Sequence, residues 1–340
     1  MDILAQIDLF LGDFINPRKR IFLGYLALTI LIALVWLLVV RKASIGQALA
    51  QVFDRKVLLS PSAKADYKIF FLNRVFTLFI SPQLASQLAI ATALYYLLLD
   101  VPFLNREVLS DWPTGVIVAL FTGTIFAVDD LTKYLLHRWM HHWPLLWAIH
   151  KVHHSAETMT PITVYRVHPL EGVLYALRSA VAQGTTLALF MFFFGNAVDL
   201  YTVLGVNVLS FMFHVTGSNL RHTHIAIRYW PWLEHLLISP AQHQVHHSVA
   251  QRHHDKNFGV AFAVWDWMFG SLHLSEKGAD LTFGLPASQA HPSRLTDIYL
   301  RPFRDMYRVV ARRVDRVKQR LGRSGRSKAS NLSPETHAPN

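Results

Sequence analysis

Uncharged apolar stretches recur along the first two thirds of this 340-residue chain. Residues 21–40 hold twenty consecutive positions without a charge. At about 1.5 Å per residue, such a run crosses a hydrocarbon layer about 30 Å thick. Arg18, Lys19 and Arg20 precede it, and Arg41 and Lys42 follow. Ala48-Leu49-Ala50 resembles a signal-peptidase site, but the apolar run is too long for a leader and a basic pair intervenes, so an uncleaved span is expected. Residues 82–101 and 112–128 predict two further spans. Residues 179–194 and 197–213 predict a hairpin around the Gly195-Asn196 turn. The pattern predicts an all-α integral membrane bundle of four to five spans.

Composition agrees with that class. Hydrophobic residues make up 52% of the chain and charged residues 16%, against about 25% charged in a soluble domain. The absence of cysteine excludes disulfides, cysteine-ligated zinc, iron–sulfur clusters and a thiolate nucleophile. Any metal must be held by His, Asp or Glu.

The net charge of +11 is uneven, because residues 301–328 carry eleven Lys/Arg and two acids. In the same segment Phe303, Met306, Tyr307, Val310, Val314, Val317 and Leu321 recur mostly at three- and four-residue steps. A basic amphipathic helix over 301–322 against an anionic lipid surface suits a membrane protein better than nucleic-acid binding does. Residues 323–340 have the composition of a disordered tail. Orientation follows from the 41–74 loop, whose seven Lys/Arg favour the cytoplasm. Counting onward, 129–178, 214–300 and the basic tail face the cytoplasm as well, and the N-terminus faces outside.

Sixteen of the nineteen histidines fall between His137 and His254. The first box is His137-x-x-x-His141, whose members share a helix face. The second is His150-Lys151-Val152-His153-His154 and the third His243-Gln244-Val245-His246-His247. Two such similar sets imply two metal ions held in related ways. Burying this many imidazoles without a metal is costly, because every ring nitrogen then needs a hydrogen-bond partner. His222-Thr223-His224 lies ahead of the third box and offers a further ligand. His214 closes a span, either as a ligand or as a hydrogen-bonded helix end. Asp130 and Tyr134 precede the first box on one helix, where an acid can take the N–H of a ligating imidazole or simply end the span. Arg166, His168 and Glu171 surround a helix start with Pro169 in its first turn; they support the ligands or form a local ion pair.

The pattern Asp130-x-x-x-Tyr134-x-x-His137-Arg138-x-x-His141, Trp147-x-x-His150-x-x-His153-His154-Ser155, Arg166-x-His168-Pro169-x-Glu171 and Pro240-x-x-His243-x-x-His246-His247-Ser248 resembles the fatty acid hydroxylase (sterol desaturase) superfamily. Asn257-Phe258-Gly259 and Trp265-Asp266-x-x-Phe269-Gly270-Ser271 match its closing signature. The likeness covers residues 112–274. It implies an integral membrane di-iron oxygenase ligated by the three boxes, with Asn257 and Asp266 among the supporting residues and extra histidine between the second and third boxes. Flanking it are N-terminal spans and a basic loop (1–111), a connecting segment (275–300) and the tail.

Neutral imidazoles suit iron, zinc or copper alike. Activating O2 needs a redox metal, and two ferrous ions can together oxidise an unactivated C–H bond to an alcohol or, by a second abstraction, an alkene. No GxGxxG-type fingerprint is present, so a separate reductase, ferredoxin or cytochrome is expected to deliver electrons. The substrate is expected to be a lipid: a sterol, fatty acyl chain, ether lipid or amino-acid-containing lipid. A zinc hydrolase would usually show HExxH, which is absent. A metal transporter would want polar ligands inside its spans.

Overall fold

A computed structural model describes residues 20–80, 87–195, 218–286 and 294–330, with a few isolated positions between them; side chains at 78–80 and 320–330 are not described. The described residues are mostly helical, with two isolated bridges and no strand. Helix α1 (Leu23–Val35) runs through a π-turn to Val40, and α2 (Ile45–Val52) follows it. Next come α3 (Pro61–Ile80), α4 (Gln87–Leu99), α5 (Thr114–His142), α6 (Pro144–His154) and α7 (Pro169–Phe194). Short helices α8 (Pro240–His246) and α9 (Val264–Met268) precede the long α10 (Leu295–Ser330).

Among the described residues, three helices are long and apolar enough to cross a membrane: Leu23–Val40, Thr114–His142 and Pro169–Phe194. The expected second span is described as a 13-residue helix, α4. Nearly all of the expected span 197–213, and Asn196 of the turn before it, lie outside the described residues, as does His214. Two expected boundaries shift. The helix of the third span continues unbroken past Val128 to His142, and α7 begins ten residues before Ser179. The reason is length. Twenty-nine residues make about 44 Å of helix against about 30 Å of hydrocarbon, so one end of α5 projects beyond the bilayer. That end carries the first histidine box.

Pro144, with no N–H to donate, opens α6 one residue after α5 ends, and the second box follows on α6. Ser239 and Gln242 cap each other's backbone N–H at the start of α8, which bears the third box. A Cβ on Gly184 would stand 2.8 Å from the Gln87 carbonyl oxygen, so glycine is what lets α7 press against α4.

The stretch 41–74, expected as a basic loop, is largely helical and walls the site. Ala48 and Val52 of α2 pack with Ala33 and Leu37 of α1 onto Leu220, Ile225 and Ile227. Ile69 of α3 packs with Val152 of α6 and Ile298 of α10. The tail helix therefore begins as part of the core. It then runs on to Ser330, eight residues beyond Gly322, where composition predicts disorder.

Candidate metal centre

Nine histidines converge in two adjoining groups at the projecting ends of these helices. His137, His141, His150, His154 and His246 form one; His153, His222, His243 and His247 form the other. Within each group the candidate ligand atoms lie within 4.8 Å of one another. His154 and His247 stack across the boundary at 4.5 Å between ring centroids.

Each HxxHH box is divided between the groups. At about 100° per residue, positions i and i+4 point within about 40° of each other, whereas i+3 stands about 100° from i+4. The second box accordingly sends His150 and His154 to the first group and His153 to the second. The third box does the reverse, sending His246 to the first and His243 and His247 to the second. Although i, i+3 and i+4 lie on one broad side of a helix, the three members of a box are thus divided between two groups.

Hydrogen bonds orient the rings of the first group. His137 Nδ1 donates to the Phe258 carbonyl at 2.8 Å and His246 Nδ1 to the Lys256 carbonyl at 2.7 Å. His150 Nδ1 meets Glu171 Oε1 at 2.9 Å, both side chains being buried. A carbonyl only accepts, so those Nδ1 atoms carry the proton and Nε2 presents its lone pair. The Nε2 atoms of all five histidines are buried without a partner.

In the second group His222 Nε2 lies 3.1 Å from His153 Nε2 and 2.9 Å from His243 Nε2, and His247 Nε2 lies 3.2 Å from His243 Nε2. Nitrogens bound at about 2.1 Å and about 90° apart around one ion would stand about 3.0 Å from each other. The donor set fits a metal in both groups.

Burial, reinforced by neighbouring imidazoles, holds His150, His154, His222, His243, His246 and His247 well below the usual imidazole range. It pushes His153 down to about 3. These rings are neutral at pH 7, which is the form that ligates.

The supporting residues act through backbone. Asp130, expected to take an imidazole N–H or to end its span, instead accepts from the N–H groups of Ala261 and Phe262 and from Trp265 Nε1, at 2.8–3.0 Å. Asp266 accepts from the N–H groups of Phe258 and Gly259 and from the Ser271 hydroxyl. Together they hold the turn whose Phe258 carbonyl orients His137. Gly259 is required there, since a Cβ would stand 2.7 Å from Asp266 Oδ2. Asn257, at a φ of 55°, donates to the Gln242 and His273 carbonyls. The Tyr134 hydroxyl pairs with Ser271 and accepts from Arg138.

His224 stands apart from both groups, with Nε2 on the Gln51 carbonyl at 2.6 Å. His168 caps α7 and contacts the Tyr299 carbonyl of α10 at 3.2 Å. A third group, His253, His273 and Glu276, already holds an internal cation, because the Arg252 guanidinium reaches His253 Nε2 at 3.1 Å and Glu276 at 3.2 Å.

Sequence reasoning missed Asp66. It is fully buried on α3, ion-paired to Arg166 at 2.8 Å and bonded to the Thr163 hydroxyl at 2.7 Å. Arg166 in turn clasps the Val152 and Ser155 carbonyls at the end of the second box. An uncompensated acid in a predicted loop carries no pattern that would mark it. The Lys256 and Phe258 carbonyls were equally invisible, being backbone.

A cavity of about 180 Å³ opens onto the first group beside His141, Trp147, His154 and His246.

The profile of the fatty acid hydroxylase family matches residues 122–271. A beta-carotene hydroxylase of Paracoccus sp. (strain N81106 / MBIC 01143) is 31% identical over 137 residues, covering 40% of this chain and 78% of that protein. An alkylglycerol monooxygenase of Danio rerio is 29% identical over 42% of this chain, and the match spans only 28% of its own length. A Delta(7)-sterol 5(6)-desaturase, erg3C, of Aspergillus fumigatus is 27% identical over 50% of this chain and 52% of its own. No solved structure matches significantly.

Proposed function

The chain belongs to the fatty acid hydroxylase family, and from that premise we propose that it is a membrane-bound di-iron oxygenase that hydroxylates or desaturates a lipid. The observation that carries this reading is the pair of buried, neutral histidine groups with orphaned Nε2 atoms. His137, His141, His150, His154 and His246 would hold one iron, and His153, His222, His243 and His247 the other. When bound, two iron ions supply the redox capacity to activate O2 and oxidise an unactivated C–H bond.

The chain's own residues prepare that chemistry. Glu171 accepts a hydrogen bond from His150 Nδ1–H, fixing the ring and raising the basicity of its Nε2. The loop held by Asp130 and Asp266 presents carbonyls that lock His137 and His246 in one tautomer. Burial keeps the imidazoles uncharged, so a cation meets no electrostatic barrier from them.

The substrate is a lipid such as a sterol, fatty acyl chain, ether lipid or amino-acid-containing lipid, which reaches the centre at the cytoplasmic ends of the spans. Two electrons per turnover come from a separate reductase, ferredoxin or cytochrome. The exposed apolar residues Phe303, Tyr307, Val310, Val314 and Val317, interleaved with arginines on α10, fit the anionic cytoplasmic leaflet.

The test is metal analysis of purified protein together with O2 uptake on a membrane lipid extract. Two irons per chain and a lipid gaining one oxygen, or losing two hydrogens, are expected. Recovery of zinc alone, with no O2 consumption after iron loading, would overturn the proposal.

A further inference from the structure

The cavity on the first histidine group has an uneven chemistry that bears on which lipids can use it. Its inner wall is His141, His154 and His246, and Trp147 closes one side by donating its indole N–H to Gln289 Oε1 at 3.1 Å. Among the described residues, and apart from histidine, Asp255 is the one charged side chain in the lining, half-exposed and held at a φ of 57° with Oδ1 3.7 Å from His141 Nδ1. Among the described residues no lysine or arginine lines the cavity.

Size constrains the occupant as well. A cavity of about 150 Å³ takes a benzene-sized group, so about 180 Å³ suits the end of a lipid.

Resting on the oxygenase reading above, we propose that this cavity takes the polar end of the substrate, and that the end is neutral or cationic, bearing hydroxyl or amine hydrogens for Asp255 and Gln289. A phosphate or carboxylate head would meet the Asp255 carboxylate with no lysine or arginine among the described lining residues to pair with. Metal ions, if held by the histidine groups, would attract such an anion toward His141, His154 and His246 and away from Asp255. A hydroxyl or ammonium head is instead retained at Asp255, beside the inner wall and off the metals. The reacting carbon then lies within a few bonds of the head.

The experiment uses the full-length, iron-loaded protein in nanodiscs. It receives two lipids with one alkyl chain in common, one ending in a glycerol diol and one in a phosphate monoester. The protein is expected to convert the diol lipid at least about tenfold faster. Gln289→Lys, which adds a cation away from the ligands, and Asp255→Lys should each narrow that ratio by about tenfold. Iron content, measured in parallel, separates altered selectivity from lost metal. Equal or faster conversion of the phosphate lipid, or a ratio unmoved in an iron-replete Gln289→Lys protein, would overturn the proposal.

Anaerobic binding of the same two lipids, followed by native mass spectrometry, is the second measurement. If neither lipid is oxidised, the oxygenase reading fails while this arm still decides the present one. Tighter binding of the diol supports it, and equal or tighter binding of the phosphate overturns it.

Discussion

The second and third histidine boxes share five of six residues, HKVHHS at 150–155 and HQVHHS at 243–248, yet they serve the two histidine groups in opposite senses. Helical spacing sets the angle between i, i+3 and i+4 but not which side of a helix faces which group. The orientation in which each helix docks decides that. The single differing position shows how docking is enforced. Lys151 reaches out of its box to Asp305 of α10 at 2.5 Å, tying α6 to the tail helix. Gln244, buried at the matching position, donates to the Thr223 and Ile225 carbonyls and so ties α8 to the segment that delivers His222. One box is fastened by an ion pair to a distant helix, the other by neutral hydrogen bonds to a neighbouring loop.

The division of ligands is broken most directly at the i+3 histidines. His153→Ala is expected to empty chiefly the second group and His246→Ala the first, each lowering activity by more than about 100-fold, since ligand loss exceeds the 10–100-fold effect of a supporting residue. His224→Ala should keep both metals. Metal content and an iron-sensitive spectroscopy of the three variants distinguish these outcomes; identical metal loss in all three would contradict the division.

Asp66→Asn leaves Arg166 buried beside the second box without its counter-charge, and about 3–5 kcal/mol of stability should be lost. Thermal unfolding in detergent measures it.

Glu171→Gln removes a carboxylate from behind His150, where the third box relies on a backbone carbonyl behind His246. About 10–100-fold in metal affinity or activity should be lost. Chelator titration reads it, and Glu171→Asp should recover part.

The differing position supplies the smallest effects. Gln244→Leu removes the two hydrogen bonds and leaves the Thr223 and Ile225 carbonyls without that donor, costing about 1–3 kcal/mol. Lys151→Gln removes a largely buried pair, but Arg301 and Arg308 remain beside Asp305, and about 1 kcal/mol is expected. Denaturation midpoints of the two variants test the order; a larger loss in Lys151→Gln would reverse the account of how the boxes are fastened.

Several features were legible because they are periodic or chemically rare. The 21–40 run, the extended apolar helices and the three boxes each repeat a local rule, and the structure contains α1, α5, α7 and the box-bearing helices α6 and α8. The supporting acids were legible only as positions. Glu171 lies behind a ligand, as the sequence allowed, whereas Asp130 turned out to bind a loop 131 residues away. The helical character of 41–74 was obscured because its seven basic residues dominate the pattern, and Asp66 was hidden with it.

By itself the sequence determined the class of the molecule: hydropathy demands a membrane, the lack of cysteine restricts the ligand types, and box spacing confines pairs of imidazoles to shared helix faces. These follow from local geometry, which a linear pattern carries. The tertiary structure decided which imidazoles share a group, why His222 joins one and His224 does not, and which carbonyls and carboxylates hold the rings. Those outcomes depend on the docking of α3, α6, α8 and α10, where contacts between residues far apart in the chain select one rotation of each helix over the others.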